Sequence, residues 1–201
     1  MQSKHIALMA DVGERLLLIV LAVPWLIAFV RFLPRDPGLI TAILSEGAMV
    51  VFILIRKPGR IALTPYAFTI GFLGTCFALF VGPVQTTVVT DFSEAVMLFG
   101  FLVSLSSKLS LNRRFGIVAA NRGVQTKWPY SVVRHPMYAG YVITQVGFFM
   151  TSPTLWNAFV YAVAWTLQIL RIFEEEKLLG QDDLYKAFAQ RVRYRLVPGL
   201  F

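Results

Sequence analysis

The segment Arg134-His135-Pro136-Met137-Tyr138-Ala139-Gly140 opens an uncharged stretch from Met137 to Leu170, which closes on Arg171-Ile172-Phe173-Glu174-Glu175-Glu176. Ionisable clusters at the edge of so long an apolar run are expensive to hold, so their default reading is a functional site. Pro136 suits the first turn of a helix, and its ring pushes His135 out of the helical region. His135 is therefore expected at a helix entrance, where unpaired backbone N–H groups and the adjacent Arg134 favour a carboxylate or phosphate. Arg171 and Glu175, spaced i, i+4, share one helix face, with Glu174 within reach. Three consecutive glutamates near the C-terminal end of a helix oppose its dipole, and a local violation without structural gain points to function. Tyr130, Tyr138 and Tyr141 supply aromatic surface for a planar base or a cation, although interfacial anchoring explains any one of them. Together these groups suit a ligand with a carboxylate, a cationic centre and a base. A nucleotide or a phosphorylated lipid would use many of the same groups.

The elements that position these residues are membrane helices. The chain is 57% hydrophobic and only 15% charged, far from the balance of a soluble domain. Apolar runs fall at Leu16 to Leu33, Leu39 to Ile55, Tyr66 to Val84, Ala95 to Leu111, Met137 to Met150 and Leu155 to Leu170. The fold expected is all-α, a polytopic bundle of about six spans at about 20 residues each. The last two runs are short, and Thr151-Ser152-Pro153-Thr154 between them predicts a tight helical hairpin. Beyond it, Asp182 or Asp183 can cap a short interfacial helix carrying Leu184, Phe188 and Val192 at helical spacing, ended by Val197-Pro198-Gly199. Residues 1–107 are expected to be N-terminal transmembrane helices and residues 108–201 the cofactor-binding and catalytic region of one integrated membrane domain. Glu46, the one isolated acid in a predicted span, reads first as a structural group with a polar partner. Gly71, Gly74 and Gly47 read as sites of close helix approach.

Charge placement sets the orientation. Arg56, Lys57 and Arg60 mark one loop; Lys108, Arg113, Arg114, Arg122, Lys127 and Arg134 a second; Arg171, Lys177, Lys186, Arg191, Arg193 and Arg195 the tail. These fall on one side, opposite Arg31 and Arg35, so both termini are expected to be cytoplasmic. The net charge of +8 follows from this bias and from anionic lipid headgroups, without nucleic acid as a partner. Cys76 is the only cysteine, so neither a disulfide framework nor a thiolate metal site is expected. The first residues show no cleavable leader pattern.

From about Leu109 to Phe201 the chain resembles the isoprenylcysteine carboxyl methyltransferase family, which is itself similar to phospholipid N-methyltransferases. The carrying residues are Pro129-Tyr130, Arg134-His135-Pro136-Met137-Tyr138-Ala139-Gly140, Arg171-Ile172, Glu175-Glu176 with Leu179, and then Tyr185, Val192 and Pro198. The resemblance implies S-adenosylmethionine as cofactor, bound by Arg122, Gly123, Val124, Gln125, Tyr130, Arg134, His135, Pro136, Met137, Tyr138, Glu175 and Glu176. It implies that Arg171 and Glu175 are catalytic, that Arg171 contacts the acceptor, and that no metal is used. A lipophilic acceptor would arrive from the bilayer and the cofactor from the cytosol. Arg122 stands where the family often has histidine, Trp128 where it has glycine, and Gln125 where it has an apolar residue. Carboxyl O-methylation of an isoprenylcysteine-like substrate leads the expectation. A phospholipid or small-molecule N- or S-methyltransferase comes next, then a membrane reductase using NADPH, then a small transporter or scaffold.

Overall fold

The computed structural model describes residues 9, 11–13, 15–16, 19–20, 23, 27, 30, 47–48, 50–57, 59–62, 64–81 and 90–201. The loop carrying Arg31 and Arg35, and Glu46, lie outside the described residues, as does most of the first two expected spans. Helix α1 runs Pro65–Cys76, with Thr64 Oγ1 accepting from the Ala67 amide at 3.2 Å and Pro65 at the first helical position. A 3-10 turn, Phe77–Phe80, continues it. Helix α2, Asp91–Leu111, begins with a reciprocal cap: the Ser93 amide donates to Thr90 Oγ1 at 3.1 Å and the Thr90 amide to Ser93 Oγ at 3.0 Å. Asp91 and Glu94 in its first turn complement the helix dipole. Helix α3 is Pro136–Thr151, α4 is Leu155–Leu179 and α5 is Asp183–Arg191. A two-residue strand β1, Arg60–Ile61, pairs antiparallel with β2, Ala120–Asn121.

Two described helices, Asp91–Arg114 and Leu155–Leu179, are long and apolar enough to cross a membrane. The 16 residues of α3 rise only about 24 Å against a hydrocarbon core of about 30 Å. Of the expected span Tyr66 to Val84, the part to Phe80 is a helix that gives way to the 3-10 turn after Cys76. The count of six spans is thus not reached among the described residues.

The packing differs from a simple closing hairpin. The short connection is present, capped by Thr154 Oγ1 accepting from the Asn157 amide at 3.0 Å and crossed by Asn157 Nδ2 donating to Ser152 O at 2.8 Å. Yet α3 lies mainly against α2, and α4 mainly against α1. Glycines explain the first pairing: a Cβ on Gly140 would sit 2.5 Å from Ser104 N, and one on Gly100 2.4 Å from Thr144 N. Backbones meet directly there, the usual device where no hydrophobic force distinguishes helix from lipid. Gly71 approaches the Ile117 carbonyl similarly, with Gly74 in ordinary contact beside Leu167 O; Gly47 meets nothing among the described residues. A core of Ile53, Phe115, Ile117, Met137, Tyr138 and Ile172 joins the loop after α2 to α3 and α4. A second core of Tyr130, Tyr185, Phe188 and Val192 fastens α5 beside it. On α5 the buried face is therefore Tyr185, Phe188 and Val192: Phe188 and Val192 are buried as expected, and Tyr185 takes the place of Leu184, which is 72% exposed. The helix ends at Arg191, well before the expected Val197-Pro198-Gly199 stop.

Candidate functional site

His135 stands at the entrance of α3 with non-helical backbone, and Pro136 follows at the first helical position. Its ring reaches α4: Nε2 lies 3.1 Å from Glu176 Oε1 and Nδ1 3.8 Å from Glu175 Oε2. It also stacks on Tyr138, with ring centroids 5.8 Å apart. One turn into α3, the Tyr138 hydroxyl donates to Glu175 Oε1. The two ends of the apolar stretch thus meet.

The neighbouring glutamates have different partners. Glu175 holds the Tyr138 hydroxyl and faces Arg171 Nε at 3.4 Å. Glu176 takes Arg134 Nη1 at 2.9 Å and His135 on one oxygen, and Arg195 Nε at 2.9 Å on the other. Arg171 is buried. Its Nη1 donates to Thr75 Oγ1 at 3.0 Å, its Nη2 to Gly116 O at 3.3 Å, and its guanidinium lies 5.1 Å from the Tyr138 ring centre. Four segments of the chain converge on this one side chain.

Above these groups lies an open-mouthed cavity. Its wall includes Arg122, Gly123, Val124, Gln125, Tyr130, Arg134, His135, Met137, Tyr138 and Glu175, ten of the twelve residues expected to bind a cofactor. Pro136 and Glu176 stand behind the wall, as does Arg171. Gly123 has φ +101°, a conformation that favours glycine, and its amide donates to Asn121 Oδ1 at 2.9 Å. Gln125 Nε2 is engaged by Ser110 Oγ at 2.9 Å, so this side chain ties the loop to the end of α2. Trp128 is exposed and is joined to Pro129 by a cis peptide bond.

Arg122 is buried with its Nη2 3.8 Å from Asp11 Oδ1. Asp11 also pairs with Arg56 Nη2 at 2.6 Å and Arg15 Nη2 at 2.9 Å. Burial raises the Tyr130 phenol pKa well above its ordinary value, and the Glu175 charge adds to this. Tyr185 is raised by burial first and by Glu176 second. Both hydroxyls stay protonated at neutral pH and remain available as donors. Sequence reasoning missed Asp11, Thr75, Phe115 and Gly116, and read Phe188 only as part of the apolar face of α5. The apolar residues among them carry no chemical signal in a chain this hydrophobic, and Asp11 and Thr75 meet their arginines only through the fold. Arg195 was noted only as a charge in the tail.

Residues 90–185 match the family model of the phospholipid methyltransferases. The resemblance to membrane methyltransferases drawn from the motifs is thereby borne out. The phospholipid methyltransferase match takes in α2, α3, α4, the cavity loop and the start of α5, and so contains both charged clusters. Together with the two long apolar helices it supports a membrane-located methyltransferase. No individual curated protein matches the chain.

Proposed function

We propose that the protein is an S-adenosylmethionine-dependent methyltransferase acting on a lipophilic acceptor. The observation that carries this reading is the cavity walled by ten of the twelve expected cofactor residues, with Glu175 braced by Tyr138 and Arg171 at its edge. The wall chemistry fits the cofactor. The buried Nε of Arg134, which has no hydrogen-bond partner among the described residues, offers a donor for the carboxylate of the methionine moiety, with Arg122 adding positive charge. Phe115, Tyr130 and Phe188 offer apolar and aromatic surface for the base. Glu175 supplies the negative charge that a sulfonium attracts. S-adenosylmethionine, when bound, supplies an electrophilic methyl group.

The chain's own task is then to hold an acceptor in line and to manage its proton. All three donor nitrogens of Arg171 face protein groups: Glu175, Thr75 and Gly116 O. An arginine so engaged suits bracing Glu175 better than clamping an acceptor carboxylate. Glu175 can take the proton that an amine acceptor must lose, so a lipid amine is the acceptor favoured by the geometry. The carboxylate of an isoprenylcysteine-like molecule is the second reading, favoured by the motif resemblance alone. The lysine and arginine clusters support a multi-pass protein of about six spans, with both termini and the cavity mouth on the cytoplasmic face.

The test is transfer of labelled methyl from S-adenosylmethionine by the purified protein to phosphatidylethanolamine vesicles and, separately, to a farnesylcysteine derivative. Base-stable label in the phospholipid supports the amine reading, and base-labile label in the farnesylcysteine supports the carboxylate. Binding of NADPH in place of S-adenosylmethionine would replace both with a reductase. Absence of either cofactor's binding would leave a transporter or scaffold.

A further inference from the structure

The segment after α5 has no regular structure, yet it is fixed to the site at every step. The Arg134 amide donates to Tyr194 O at 2.9 Å and the His135 amide to Arg195 O at 2.8 Å, so the tail runs alongside the entrance of α3. Arg134 Nη2 donates to Arg193 O at 3.0 Å. The tail then closes on itself, because the amides of Arg195, Leu196 and Val197 converge on Phe201 O at 2.8, 2.8 and 3.0 Å. From this closed loop Arg195 reaches back to Glu176 Oε2, its guanidinium lying 5.4 Å from the Phe173 ring centre and 5.2 Å from that of Phe201. The region matched to the phospholipid methyltransferases stops at residue 185, short of this tail.

Glu176 stands behind the cavity wall and has both oxygens occupied, whereas Glu175 lines the wall. We propose that Glu176 and Arg195 are positioning residues: a charged clasp by which the tail fixes the Arg134 guanidinium and the His135 ring against the cofactor cavity. The physical reason is that Arg134 and His135 face Glu176 from one side only. A carboxylate free to swing would carry both with it. Arg195, flanked by two aromatic rings, locks the second oxygen and so removes that freedom. In the cavity this preorganises two groups before a ligand arrives, lowering the ordering cost of binding. The inference rests on the reading of the cavity as the S-adenosylmethionine site.

The experiment is calorimetric titration of S-adenosylmethionine into the full chain, as wild type, Glu176→Gln, Arg195→Met and the double variant, each with its thermal unfolding recorded. Gly147→Ala serves as the stability control, because its new Cβ would meet Met97 N at 2.8 Å in the α2–α3 contact away from the cavity. The clasp predicts that each single variant weakens binding about tenfold and that the double variant is no weaker than the worse single, the coupling of two residues acting as one unit. Gly147→Ala should lose thermal stability and keep its affinity. Folded single variants that bind as wild type does, losses that multiply in the double variant, or an equal loss in Gly147→Ala would each overturn the clasp. Folded wild-type protein that does not bind would overturn the methyltransferase reading, and the clasp with it.

Discussion

Replacing Arg171 by lysine separates charge from geometry at the centre of the site. Lysine keeps the positive charge, but a single ammonium cannot span Thr75 Oγ1, Gly116 O and Glu175 Oε1, which the guanidinium meets at 3.0, 3.3 and 3.4 Å. If the ammonium stays with Glu175, the bonds to Thr75 and Gly116 are lost. A hydrogen bond from a charged donor contributes about 1.5–3 kcal/mol and a neutral one about 0.5–1.5. Taking the 3.0 Å bond in the first class and the longer one at the weak end of either gives a loss of roughly 2–4 kcal/mol. For a chain of this length that corresponds to a fall in the unfolding midpoint of roughly 4–16 °C. Thermal unfolding of the detergent-purified variant reads it, with Thr75→Val as a partial version that should lose about three quarters as much. The hub should also show in function, because Glu175 loses its brace: turnover should fall more than tenfold at saturating cofactor. Arg171→Lys with wild-type stability and turnover would refute the picture of a side chain holding α1, the post-α2 loop and α4 together.

Other substitutions probe the surroundings. Gly140→Ala drives a Cβ to 2.5 Å from Ser104 N and 2.7 Å from Gly100 O, backbone atoms that cannot step aside. The α2–α3 contact should open at a cost of about 1–3 kcal/mol, read as a lowered unfolding midpoint; an unchanged midpoint would contradict the close approach. Phe188→Ala empties a buried position in the Tyr130–Tyr185–Val192 cluster and should cost about 3–5 kcal/mol, with protease sensitivity appearing first in α5. Cleavage starting elsewhere would contradict that anchoring. Asp182 caps α5 and is held below its ordinary pKa of 3.8, first by the hydrogen bond from Asn121 and then by the Leu184 amide. Its contribution is therefore complete above pH 3.8 and is lost as pH falls through the lower folded value. The stability difference between wild type and Asp182→Ala should be constant from neutral pH down to about pH 3.8 and shrink below it. A difference that grows on acidification would reverse the assignment.

Much of the site was legible because its groups carry chemistry at short range. Pro136 announced the start of α3, and the four-residue spacing of Arg171 and Glu175 placed them on one face of α4. The glycine and arginine of the loop at Arg122 and Gly123 read through resemblance. What stayed hidden depends on distance along the chain. Thr75 meets Arg171 across 96 residues, and nothing in an apolar helix singles out one threonine. Arg122 faces Asp11 across the whole N-terminal region, a pairing that only the fold creates. Arg195 looked like one more positive charge in a basic tail, and its aromatic sandwich appears only when the tail folds back. On α5 only Leu184 was misplaced, for a different reason: Leu184 and Tyr185 both stand at helical spacing from Phe188, so periodicity does not choose between them. Packing of Tyr185 against Tyr130 decided the matter. The α3–α4 hairpin was inferred from a short connection, but close approach through Gly100 and Gly140 favoured α2 as the partner of α3.

The central claim is that the cavity between the cavity loop, the entrance of α3 and Glu175 is the cofactor site of a methyltransferase. Equilibrium titration of S-adenosylmethionine into wild type, His135→Ala and Glu175→Ala tests it most directly. The account predicts saturable one-to-one binding by wild type that is lost or severely weakened in both folded variants. Absence of binding by folded wild-type protein, or equal affinity in all three, would contradict it.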